Sequence, residues 1–183
     1  IFNFSDIFNA VLKNSNFIRT PTLMTRKDVF GAVGKFNLKF KSSADLDLWL
    51  RMSKYKSIGI INQSLHKYRM SPSQGTAIMM AGMVELPDFF SVIESHLQES
   101  GKLAAPASIV YYEMFKGGEL ILCSLNLLLK REIKKAKINL KDALTFKNIR
   151  YSLSRERIFF RYIIGCILLL SIYLQMGYLI AKF

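Results

Sequence analysis

Apolar side chains at Ile1, Phe4, Ile7, Phe8 and Val11 recur at spacings of three and four, which predicts a short amphipathic helix within residues 1–17, capped at Ser5-Asp6 and ending near Asn14-Ser15-Asn16. The residue before Pro21 is biased towards extended backbone, so residues 17–20 read as extended and 22–25 as a strand. Residues 26–33 then form a helix with Val29, Phe30 and Val33 inward, closed by Gly34. The polar pair Ser42-Ser43 opens the next helix. Its first turn carries Asp45 and Asp47 and its next turn Trp49, the only tryptophan. Residues 57–61 form a β-rich run too short for a helix, Asn62-Gln63-Ser64 a turn, and residues 65–70 an alternating strand that leads into the loop 71–75. From Thr76 onward the period is helical: 78–97 broken by Pro87, then 105–133, then 158–183.

This pattern predicts an α/β protein, α+β as far as the chain shows it, with two or three short strands followed by a mainly α-helical tail. It divides into residues 1–76, a helical extension with a basic cluster over 77–157, and an apolar membrane-associated or transmembrane helix over 158–183. The first residue is Ile1, with no initiating methionine and no leader, so the chain reads as a piece of a longer protein.

Charge sharpens the picture of the tail. The 183 residues carry 26 Lys and Arg against 13 Asp and Glu, a net charge of +13. That balance alone suits nucleic acid, anionic lipid or a diphosphate-bearing substrate. Eleven of the cations crowd between Lys130 and Arg161, just before the most apolar stretch, which favours an anionic membrane surface over nucleic acid. Residues 162–181 contain no Asp, Glu, Arg or neighbouring Lys before the last position but one of the chain, and are long enough for a membrane core, with the basic cluster on the cytoplasmic side. Tyr173, Gln175 and Tyr178 leave an interfacial or buried helix open as the alternative. Cys123 and Cys166 have no ligand spacing and read as small buried hydrophobes; His66 and His96 form no ligand pair.

Two aspartates this close together in so basic a chain are a candidate chemical site. The phrase Asp45-Leu46-Asp47-Leu48-Trp49-Leu50-Arg51 follows a Val33-Gly34-Lys35-Phe36 turn, with Thr20-Pro21-Thr22-Leu23-Met24-Thr25-Arg26-Lys27 upstream and Tyr68-Arg69-Met70-Ser71 downstream. Over roughly residues 14–76 this order resembles the second half of a family 2 glycosyltransferase of the GT-A type. The resemblance implies a partial GT-A domain and transfer of a sugar from a nucleotide-diphosphate sugar to a glycan or lipid-linked acceptor hydroxyl, with inversion, at the cytoplasmic face of a membrane as a peripheral or single-span protein.

Residue by residue, the resemblance makes Asp45 the catalytic base, where the free N–H groups and dipole of a helix start favour negative charge. It places Thr20 and Thr22 on the acceptor side, and Asp47, Trp49, Tyr68, Arg69, Ser71 and Gln74 as substrate-binding residues, with Arg69 and its loop facing the donor diphosphate. A divalent cation, Mn or Mg, is expected in the full enzyme. Its Asp-x-Asp ligands would lie before Ile1, because Asp45-Leu46-Asp47 does not follow a buried apolar strand. Ala44 stands where the family more often has an acid, and Ser71 where many members have histidine. The chain alone is therefore expected to be inactive. A different reading uses the same residues structurally: Asp45 and Asp47 decorate a helix start, Asp47 pairs with Arg51 four residues on, Trp49 is core, and the chain is a non-catalytic membrane-binding module with basic helices.

Overall fold

The computed structural model describes residues 1–67, 69 and 82–174, and places eight α-helices among them: α1 (Phe4–Asn14), α2 (Lys27–Val33), α3 (Ala44–Tyr55), α4 (Asp88–Ser100), α5 (Pro106–Leu129), α6 (Ile133–Ala143), α7 (Phe146–Ser152) and α8 (Glu156–Tyr173). The chain forms two compact units, Ile1–Arg69 with Pro87–Ile109, and Met70–Leu86 with Val110–Phe183.

The expected α/β class is corrected: the protein is all-α, 68% helical and 1% strand, with no sheet among the described residues. A strand leaves its backbone N–H and C=O groups unpaired unless a neighbour lies alongside. At residues 22–25, the chain first closes a 3₁₀ turn over Thr20–Thr22, with Leu23 N–H donating to the Thr20 carbonyl. At residues 57–61, only Ile58 finds a partner, exchanging two hydrogen bonds with Phe2 at 2.8 and 2.9 Å. Ile60, Ile61 and Leu65 are more than half exposed, and the Ile61 carbonyl closes a turn by accepting from Gln63 N–H at 2.9 Å. Of the third run, residues 65–67 and 69 form no strand, while Tyr68 and Met70 lie outside the described residues.

The first unit is built around α3, against which α1, α2 and α4 all pack. Leu46, Leu48 and Leu50 are fully buried and Trp49 and Met52 nearly so, so α3 offers apolar side chains in every direction and must be surrounded. On one flank Leu48, Trp49 and Met52 pack with Ile18, Leu23, Val29, Phe30 and Val33. Helix α1 starts on a capping box: Asn3 Oδ1 accepts from Asp6 N–H at 3.0 Å and Asp6 Oδ2 accepts from Asn3 N–H at 2.9 Å. The cap therefore falls two residues before the expected Ser5-Asp6. Asn9 on α1 bonds both the Leu103 carbonyl and Ala105 N–H, which ties the turn after α4 to this helix.

The second unit packs α6 and α7 on α8, with α5 from Val110 onward. Its core joins Met114, Ile121, Leu127, Leu128, Ala136, Leu140, Ala143, Tyr162 and Leu168. Two glycines permit the close approach. A Cβ at Gly117 would sit 2.2 Å from Tyr162 Oη, and one at Gly165 would sit 2.9 Å from an Ile121 methyl. The buried Tyr162 hydroxyl donates to the Met114 carbonyl at 2.9 Å, and burial pushes its ionisation well above the usual tyrosine range. Cys123 is buried, its thiol pushed up to about 11 chiefly by burial; Cys166 is exposed, contrary to the expectation that both are core.

No helix among the described residues is long and apolar enough to cross a membrane. Residues 175–181 of the run proposed as a span lie outside the described residues.

Candidate functional site

The chemistry-bearing residues of the first unit gather at the start of α3. Ser43 occupies the N-cap, as expected, but its side chain accepts no capping bond. One orphan amide of the first turn is met instead by Asp45, whose Oδ1 accepts from Leu46 N–H at 2.7 Å. The other oxygen, Oδ2, accepts from the Thr20 hydroxyl at 2.9 Å. Two positions 25 residues apart, both singled out from the sequence, thus meet through one hydrogen bond, and the Asp45 residue remains partly open to solvent.

Asp47, two residues on, is in a different environment. Its side chain is only 8% exposed, Oδ2 lies 2.9 Å from both Arg51 Nε and Nη2, and Oδ1 lies 3.2 Å from His96 Nε2. Arg51 continues the network: it donates to the Val33 carbonyl, and to the Lys35 carbonyl at 2.8 Å. Arg51 therefore satisfies the C-terminal end of α2 around Gly34, whose φ of +78° favours glycine. The spacing from Val33-Gly34 to Asp47 and Arg51 is explained by this tie. Both Asp47 oxygens are occupied in holding it.

His96, on α4, joins this site from a distance that no local pattern signals. It is 3% exposed. Burial holds its imidazole below the ordinary histidine range, the nearby Lys54 ammonium adds to the effect, and Asp47 and Glu99 oppose it. The neutral ring donates from Nε2 to Asp47, while Nδ1 has no partner among the described residues. Nothing local signals a contact across 49 positions. Asp88 also reaches across the chain: at the start of α4 it accepts from Lys41 and Ser42 N–H at 2.5 and 3.1 Å, fixing the chain just before α3.

Trp49 is buried with its ring edge-on to Phe36, centroids 6.2 Å apart, and its indole N–H has no partner among the described residues. Thr22 donates its hydroxyl to the Arg19 carbonyl at 2.8 Å, inside its own turn. Pro21 and Thr22 also line an open groove of about 1000 Å³, walled by Leu23, Met52 and residues 57–61. Arg69 is exposed, and Tyr68, Ser71 and Gln74 of the expected diphosphate-facing loop lie outside the described residues.

Among the described residues no three His, Cys, Asp or Glu side chains cluster as metal ligands. The Asp45-Leu46-Asp47 pair does not fit a divalent cation, because Asp47 is sealed between Arg51 and His96 while Asp45 points to Thr20. What the arrangement can do is accept a proton: one partly open carboxylate, oriented by a helix start and a hydroxyl, stands on a buried scaffold. No model of a known family, no characterised protein and no solved structure matches the chain.

Proposed function

We propose that the chain supplies the acceptor side of a glycosyltransferase that moves a sugar from a nucleotide-diphosphate sugar to the hydroxyl of a glycan or lipid-linked acceptor, with Asp45 as general base. The observation that carries this reading is the Thr20–Asp45 hydrogen bond of 2.9 Å. It joins the residue that the resemblance makes the base to the turn that the resemblance makes the acceptor wall. A hydroxyl donating to a carboxylate is also the ground-state form of the contact that an acceptor must make.

In the reaction, the acceptor O–H takes the place of such a donor at Asp45. As the acceptor oxygen bonds to the anomeric carbon, the bond from that carbon to the diphosphate oxygen breaks. The proton passes to the Asp45 carboxylate, and the nucleotide diphosphate leaves with the electron pair. Asp47 is unsuited to this step because both its oxygens are committed, and its role is to hold α3 in place through Arg51 and His96. Thr20 and Pro21-Thr22 present the acceptor, with the groove beside them giving it room.

The test is Asp45→Asn in the complete enzyme, with radiolabelled sugar transfer as the readout. Turnover is expected to fall by about 10²–10⁴ while the circular dichroism and Trp49 fluorescence stay those of the parent. Retention of more than about a tenth of the parental turnover overturns the base assignment.

A further inference from the structure

Helix α8 has two apolar faces, and the unit it belongs to covers one of them. The inner face is committed: Tyr162 and Leu168 are buried, and Gly165 lies against Ile121 and Leu144. On the other side Phe160, Ile163, Ile164, Ile167, Leu170 and Leu174 are each 39–60% exposed. They follow one another at intervals of one, three and four, so they form a single stripe along the helix. No charged residue interrupts the sequence from Tyr162 to Leu174, and Arg161 is turned to Glu119 at 2.5 Å. A solvent-facing stripe of this size is uncommon on a soluble protein and marks a docking surface.

The surrounding charge identifies what docks. Residues 130–161 hold eleven cations against three carboxylates. They flank both ends of the stripe: Arg155 is the N-cap of α8 and stacks on Tyr111, and Lys137 of α6 sits 4.1 Å over the ring of Tyr173. A second copy of the chain would bring these cations face to face, and a nucleic acid has no use for an uncharged apolar stripe. A bilayer with anionic headgroups complements both features at once.

We propose that α8 lies in the plane of an anionic membrane, its stripe set into the boundary between headgroups and acyl chains and its flanking cations on the lipid phosphates. In-plane placement follows from the inner face being locked into the core, and from no described helix being long and apolar enough to cross. This inference is independent of Asp45 and stands or falls separately from the transferase reading.

Cysteine chemistry supplies the probe. Cys166 is exposed beside the stripe, whereas Cys123 is buried with its thiol pushed up to about 11, so a polarity-sensitive thiol dye marks Cys166 in the folded chain. The full chain should pellet with phosphatidylcholine–phosphatidylserine vesicles, less so with phosphatidylcholine alone or in high salt, and the dye emission should shift to the blue on binding. Ile167→Glu with Leu170→Glu should weaken vesicle binding more than about tenfold. Both positions are exposed, so its melting should match the parent, and the milder pair Ile167→Ser with Leu170→Ser serves if it does not. Absence of pelleting with the anionic vesicles overturns the proposal, as does undiminished binding by a folded double variant. A lipid-free dimer in sedimentation that the same substitutions dissociate would assign the stripe to a second copy and overturn it equally.

Discussion

Helices α3 and α8 invert the usual relation between composition and burial. Helix α3 carries two aspartates, an arginine and a lysine in 12 residues, yet Leu46, Leu48 and Leu50 are fully buried and even Asp47 is inside. Helix α8 has no charge over its last three turns, yet a whole side of it faces outward. Burial in the first case is secured by pairing, because each charge that enters the interior meets a partner: Asp47 meets Arg51 and His96. Exposure in the second case persists because the helices of its own unit cover only one side of the charge-free turns. Hydrophobicity counts how much surface asks to be covered; the fold decides which part is.

The largest contrast should come from the same cut made in both helices. Leu50→Ala should cost about 2–5 kcal/mol of stability, whereas Leu170→Ala should change it by less than about 0.5 kcal/mol. Urea denaturation read by circular dichroism decides between them, and equal losses would mean that the outer face of α8 is not free. Next in size, Asp47→Ala should cost about 3 kcal/mol, since it strands Arg51 and removes the acceptor of a buried imidazole. Trp49, the only tryptophan, reports the unfolding of this unit specifically. Asp47→Ala combined with Arg51→Met should recover part of that loss if the charge left without a partner is its cause.

The smallest effect is in pH. His96 is held below its ordinary value in the folded state, mainly by burial and by Lys54, so between the two values the unfolded chain binds the extra proton. The stabilising contribution is complete above about pH 6.5 and is lost as the pH falls through the folded value. His96→Gln, which keeps an N–H for Asp47, should flatten this part of the acid limb in a melting series. The depressed Glu99 carboxyl, paired with Lys54 at 2.7 Å, acts in a lower window and leaves its own slope in place.

The parts of the molecule legible in the sequence are those set by neighbours within a turn or two. Helix α2 with its Gly34 stop, the opening of α3 at Ser43 and the Asp47–Arg51 pair follow from spacings of one to four residues. The expected strands do not form, for the opposite reason. A β-run such as Ser57-Ile58-Gly59-Ile60-Ile61 declares only a preference, and whether it becomes a strand depends on a partner that the run does not contain. Phe2 answers at Ile58 alone. The same limit hid His96 from Asp47 and Thr20 from Asp45, contacts across 49 and 25 positions made by the packing of α4 and the Thr20–Thr22 turn on α3. In the second unit the apolar run was plain, but which side of it would be turned inward was set by Gly117 and Gly165, whose missing side chains admit Tyr162 and Ile121.

The Arg51 guanidinium reaches the last carbonyl of α2 and a second one past the Gly34 turn while its other edge holds Asp47 within α3. Helices that are joined only by apolar contact can fray one turn at a time. Here the end of α2 cannot loosen without releasing the fork, and releasing the fork leaves a carboxylate without its cation in the interior. The two elements therefore open as one cooperative block, and the short α2, too brief to be stable by itself, borrows the lifetime of α3.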